Sequence, residues 1–86
     1  MQDQLARDAA KRSVNPVLAE RFPGVPLEPA SNCVIDNASA REITRLALAA
    51  AEPTISEETS ALVMEIATRP ETIRCLATDG LAPFLS

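Results

Sequence analysis

The chain lacks several residue types on which common protein functions depend. Among its 86 residues there is no His, no Trp and no Tyr, and there are only 2 Phe. Without His, the sequence excludes catalytic pairs built on imidazole and every metal site with a His ligand. Two aromatic side chains are too few for a base-stacking surface or a cage around an organic cation. The sequence therefore predicts a protein that is not an enzyme and has no catalytic, metal-binding or cofactor-binding residues.

The balance of acidic and basic residues argues against a nucleic acid as the binding partner. The chain has 8 basic and 12 acidic residues, a net charge of -4 and a pI near 4.6. Nucleic-acid binders usually carry a basic surface, so this composition argues against one. No stretch approaches the ~20 apolar residues of a membrane span. The expected partner is another protein.

Apolar residues recur at helical spacing, and no segment alternates as a strand would. This pattern predicts a single all-α domain over residues 1–86, a small bundle of four to five short helices. The domain divides into a helical segment over 1–21, a Pro-rich connector over 22–31 and a helical core over 32–86. Within the first segment, Pro16 either kinks one continuous helix or starts a second short one.

Three helix starts are predicted from capping residues. Ser39 and Glu42 form a capping box at the start of a helix over 39–51, and Ser56 caps a helix over 57–68. Thr68 and Glu71 form a second box before a last short helix at about 70–79. Ile73, Leu76 and Ala77 are the expected apolar positions of that last helix, and Gly80 is placed for its C-terminal cap.

Pro23, Pro26 and Pro29 recur at every third residue of the connector. This is the period of a polyproline II helix, so the segment is either a stiff connector or a ligand for an aromatic groove. The apolar residues between the prolines favour a connector that is anchored to the domain.

Apolar residues outside the predicted core suggest a contact surface. Residues 81–86 are mostly apolar and have no acidic side chain. They either fold back and close the domain or join other exposed apolar residues in a patch. The candidate partner contacts are Phe22, Val25, Leu27, Met64, Phe84 and Leu85.

Cys33 and Cys75 are the only cysteines. A disulfide between them would compensate for a core rich in Ala, and it would require an oxidising compartment. The alternative is two buried free thiols. Residues 1–4 contain no signal peptide, so the favoured interpretation is a mature envelope segment whose leader was replaced by a start Met. A lipid anchor upstream of Gln2, giving membrane association, and a cytoplasmic location are the alternatives.

The stretch from Arg69 to Cys75, followed by Asp79 and Phe84, is weakly similar to the end of the HdeA-type periplasmic acid-stress chaperones. The shared features are the chain size, the Cys pair and a pattern formed by Pro70, Ile73 and Cys75. The resemblance implies a small helical fold in which one disulfide crosses the helices.

These observations lead to three functional hypotheses. The first is a small periplasmic domain that is not an enzyme and serves as a protein-binding or accessory subunit. The second is an acid-activated periplasmic chaperone, because protonation of the carboxylates at low pH leaves a cation that can open a compact fold. The third is a cytosolic regulatory or interaction domain with reduced cysteines.

Overall fold

A computed structural model describes residues 2–80 of the chain, and in this part the fold is all-α, as predicted. Five α-helices are followed by one π-helical segment, and residues 2–80 contain no strand. The elements are α1 (Gln2–Arg21), α2 (Leu27–Asp36), α3 (Ala40–Ala49), α4 (Glu57–Ala67), α5 (Pro70–Cys75) and the π segment (Leu76–Gly80).

The first helix is continuous through Pro16, so residues 2–21 form one helix rather than two. Its apolar face packs mainly against α3 and α2. Ser13 is fully buried on this face, and its hydroxyl donates a 2.7 Å hydrogen bond to the carbonyl oxygen of Leu46 in α3. The bond satisfies a polar group that would otherwise be costly to bury.

The connector is shorter than the sequence predicted. A turn at Phe22–Val25 is closed by a 3.1 Å hydrogen bond from the Val25 amide to the Phe22 carbonyl. Pro23 precedes Gly24, whose φ is 89°, and this combination is typical of a type II β-turn. The prediction of a non-helical connector is wrong for residues 27–31, which belong to α2.

The start of α2 explains this difference. Pro26 has an extended backbone at the N-cap, and Pro29 is the third residue of the helix. Amides in the first helical turn have no partner inside the helix, so a proline there loses no hydrogen bond. The regular proline spacing therefore reflects a turn and a helix start rather than a polyproline II helix.

The core lies where α1, α2, α3 and α4 meet. It consists of small and medium-sized aliphatic side chains, all at most 4% exposed. These are Ala10, Val14, Val17, Leu18, Ala30, Val34, Ile35, Leu46, Val63, Ile66 and Ala67.

The disulfide joins Cys33 of α2 to Cys75 at the end of α5, with 5.5 Å between the two Cα atoms. The predicted pairing is therefore present. Because α5 contains only six residues, it contributes little aliphatic surface of its own, and the bridge attaches it directly to α2.

The caps were predicted with mixed success. The capping box of Ser39 and Glu42 and the Ser56 cap are both confirmed. The second box is wrong, because the hydroxyl of Thr68 donates back to carbonyl oxygens of α4 and Arg69 is the N-cap of α5. Pro70 accounts for this, since the residue before a proline is driven to an extended conformation.

Candidate functional site

An apolar groove of about 560 Å³ lies where the end of α1, the Phe22–Val25 turn, α2 and the π segment meet. Its volume is within the range of ligand-binding pockets. Among the residues that the structure describes, no charged residue lines it. The side chains that form its walls are Leu18, Phe22, Pro23, Val25, Ala30 and Leu76.

Local structure places each wall of the groove. Leu18 and Phe22 are four residues apart at the end of α1, so their side chains lie on the same side of the chain. Phe22 is 41% exposed, which leaves much of its ring accessible from outside. The turn then brings Val25 back toward α2, where Ala30 is buried. Leu76 completes the groove from the π segment, whose approach to α2 is fixed by the neighbouring Cys75.

The predicted contact residues do not form a single patch. Phe22 and Val25 line the groove. Leu27, 37% exposed, lies at a different and polar cavity with Asp8 and Lys11. Met64 lines a third cavity of about 410 Å³ between α1 and α4, together with charged residues. Phe84 and Leu85 lie outside the described residues.

Four of the residues that form the groove walls were not among the predicted contacts, namely Leu18, Pro23, Ala30 and Leu76. Leu18 fell within the predicted helical segment over 1–21 and Leu76 was an expected apolar position of the last helix, while Pro23 and Ala30 fell within the predicted connector. The signal that could have identified Leu18 was its spacing of four from Phe22. Nothing in the sequence pattern indicated that the π segment would meet the turn.

A network of charged and polar groups lies in a different part of the fold, at the starts of α3 and α5. The guanidinium of Arg69 donates to both carboxylate oxygens of Glu42, at 3.0 and 2.6 Å, and also to the carbonyl oxygen of Asn37 at 3.0 Å. Glu42 in addition accepts from the Ser39 amide at 2.8 Å. One side chain thus ties the end of α2 to the starts of α3 and α5.

These contacts stabilise the ionised form of the Glu42 carboxylate. Its pKa is lowered to about 2, first by the hydrogen bonds from Arg69 and then by the one from the Ser39 amide. The sequence had assigned Glu42 only a capping role and had not paired it with Arg69. A second ion pair, between Arg7 and Asp36, joins α1 to the end of α2.

Within residues 2–80, no group of three or more potential ligands is arranged to hold a metal ion. In the same range, no helix combines the length and the apolar character needed to cross a bilayer. Both cysteines are in the disulfide. The groove is therefore the feature of this part of the chain best suited to binding.

Comparison with known proteins gives no relative. No protein family, no curated protein and no solved structure matches the chain. The similarity to HdeA-type chaperones thus stays a prediction.

Proposed function

We propose that this protein is a small protein-binding or accessory subunit of the periplasm or a comparable envelope compartment, and that it is not an enzyme. The observation that carries the proposal is the uncharged groove beside the accessible ring of Phe22. The disulfide supports the compartment, because such bonds persist where the environment is oxidising. The absence of His from the sequence supports a role without catalysis.

The groove also defines the chemistry of the partner. Its walls are aliphatic, proline and phenylalanine side chains, which favour an uncharged apolar segment and would leave a charged side chain without a counter-charge. An aromatic residue at the rim is typical of positions that contribute strongly to protein interfaces. The bound element is therefore a short apolar segment of another protein.

Site-specific photocrosslinking in the native cells tests this proposal. A photoreactive phenylalanine analogue replaces Phe22 in one variant and Leu48 in the other, because Leu48 is 69% exposed but lies on α3 away from the groove. We expect a discrete adduct from position 22 that is lost when Val25→Asp is added. The proposal is contradicted if position 22 gives no adduct, or if both positions give the same one.

The compartment is tested separately by mass spectrometry of protein isolated from its native cells. Alkylation before and after reduction shows whether the two cysteines are bonded. We expect both to react only after reduction. Free thiols in the isolated protein would instead favour the cytosolic regulatory domain.

An acid-activated chaperone is a second proposal, favoured by the Arg69 network. Arg69 joins the starts of α3 and α5 through the Glu42 carboxylate, which is protonated only as the pH falls through about 2. Loss of that charge would weaken the fold and expose apolar surface. Suppression of client-protein aggregation at about pH 2 and below is the expected result, and absence of protection there would exclude this proposal.

A further inference from the structure

We propose that the polar cavity between α1 and α2 binds a small primary ammonium ion. The cavity has a volume of about 350 Å³ and shares no wall residue with the apolar groove. Its walls combine charged, polar and aliphatic side chains of the two helices, namely Asp8, Lys11, Asn15, Leu27, Glu28 and Ser31. This site is distinct from the groove, so the inference does not rest on the proposed function.

The spacing of the wall residues brings polar groups of both helices to this cavity. Asp8, Lys11 and Asn15 follow one another at intervals of three and four residues, so they share one face of α1. Leu27 and Ser31 are four residues apart at the start of α2 and share a face of that helix. The same cavity touches both faces.

Two buried oxygen atoms without hydrogen-bond partners are the main evidence for a bound ligand. The part of the chain that the structure describes has three buried side-chain oxygens of this kind, on Asn15, Ser31 and Thr72. Asn15 and Ser31 both line this cavity, whereas Thr72 does not. Buried polar atoms are nearly always paired, so two unpaired oxygens at one cavity point to a ligand that pairs with them.

The chemistry of the walls selects a ligand that donates hydrogen bonds. The side-chain oxygen of Asn15 can only accept, and the hydroxyl of Ser31 can accept as well. Asp8 and Glu28 add carboxylate acceptors, and no ion pair within the described residues involves either of them. A primary ammonium ion supplies three N–H donors and the opposite charge in one small group.

Lys11 limits the ligand to a single positive charge. Its ammonium group belongs to the same walls and repels cations, so the two carboxylates exceed it by only one negative charge. Calcium and magnesium ions also need about six or more oxygen ligands, which is more than the walls supply in side chains free of a competing cation.

Access to Ser31 depends on the side chains at the mouth of the cavity. Ser31 has no exposed surface, whereas Leu27 is 37% exposed and Glu28 is exposed as well. A change of rotamer at these two residues opens the way to the Ser31 hydroxyl. Exposed side chains change rotamer within nanoseconds, so entry requires no rearrangement of the helices.

Nuclear magnetic resonance titration of the purified full chain tests the site. Ethylammonium chloride is the probe, and tetramethylammonium chloride is its control because it carries the same charge without an N–H donor. We expect ethylammonium to shift the side-chain amide resonances of Asn15 and the backbone amide resonance of Ser31 with saturation. Tetramethylammonium, and calcium chloride at the same ionic strength, should produce no saturable shift of either.

A pair of serine variants tests the role of the buried hydroxyl. Ser31→Ala removes an oxygen that has no partner among the described residues, so the fold is retained while ethylammonium affinity should fall about tenfold. The matched control is Ser60→Ala on α4, outside this cavity, which should leave the affinity unchanged.

Three results would overturn the inference. The first is the absence of any saturable shift with ethylammonium. The second is an equal response to tetramethylammonium or to calcium, and the third is an unchanged affinity in Ser31→Ala. None of these results bears on crosslinking from position 22, which tests the proposed function.

Discussion

The packing of α1 on α2 and the attachment of α5 to α2 use different forces. At the first contact, Val14, Leu18 and Val34 are at most 2% exposed, and burial of aliphatic surface accounts for the association. At the second, α5 buries only Thr72 completely and leaves Ile73 52% exposed, while a disulfide makes the connection. A covalent bond therefore replaces apolar packing where the helix is too short to supply it.

Removing the disulfide is the change expected to produce the largest difference in stability between the two regions. Closing a loop of 42 residues contributes about 4 kcal/mol to the free energy of unfolding. The double variant Cys33→Ala with Cys75→Ala should lose most of this, and the amides of α5 should exchange hydrogen much faster than those of α1. Denaturant unfolding and hydrogen exchange measure both effects. Equal loss of protection in α1 and α5 would show that the two regions are not held differently.

A cavity made in the aliphatic core should have the next largest effect on the free energy of unfolding. Leu46 is fully buried among the residues of α1, α2 and α4, so Leu46→Ala should lower the free energy of unfolding by about 3 kcal/mol. The control is Leu48→Ala on the same helix, which is 69% exposed and should change it by less than about 0.5 kcal/mol. Similar values for the two variants would contradict the described packing of α3.

The buried hydroxyl of Thr72 gives a prediction of opposite sign. Its oxygen finds no hydrogen-bond partner among the described residues, although the side chain is fully buried. Thr72→Val keeps the shape and removes the uncompensated polar group, so it should increase the free energy of unfolding by about 1 kcal/mol.

Thr59 provides the matched control for this substitution. It is 9% exposed, but its hydroxyl oxygen accepts a 3.0 Å hydrogen bond from Ser56. Thr59→Val should therefore decrease the free energy of unfolding by about 1 kcal/mol. Two changes of the same sign in urea unfolding would contradict the assignment of polar contacts.

The smallest expected effect concerns pH and the Glu42–Arg69 pair. Because folding lowers the pKa of Glu42 from 4.5 to about 2, the pair stabilises the fold fully above about pH 4.5 and loses this contribution as the pH falls through about 2. Glu42→Gln should reduce the free energy of unfolding by about 1 kcal/mol at pH 7.

The difference between the wild type and Glu42→Gln should shrink as the pH is lowered to 2. Urea unfolding at several pH values measures it. The control is Glu20→Gln, which changes an exposed carboxylate of α1 that is not among the groups acting on Glu42 or Arg69. If the difference stays constant with pH, the network does not depend on the charge of Glu42.

Sequence patterns predicted the parts of this fold that depend on local interactions. The Ser39 cap, the Ser56 cap and the all-α class follow from side chains within a few residues of one another. The disulfide was also predictable, because only one pairing of two cysteines exists.

The errors occurred where a distant contact determines the local structure. Ile73 was an expected apolar position of the last helix, but it is 52% exposed, whereas Thr72, three residues before the bridged Cys75, is fully buried. The start of α2 at Leu27 was missed because the proline spacing in the sequence is the same whether the prolines lie in an extended chain or in the first turn of a helix. The groove requires the π segment to meet the Phe22–Val25 turn, which no local pattern contains.

The position of the disulfide also determines what happens when a protease cleaves the backbone once. Cys33 precedes the irregular stretch at residues 50–56 between α3 and α4, and Cys75 follows it. A protease that cuts once in this stretch therefore leaves two fragments joined by sulfur, and they diffuse as one molecule. Residues 33–75 form a ring closed by the disulfide, and one cut opens the ring without releasing either part.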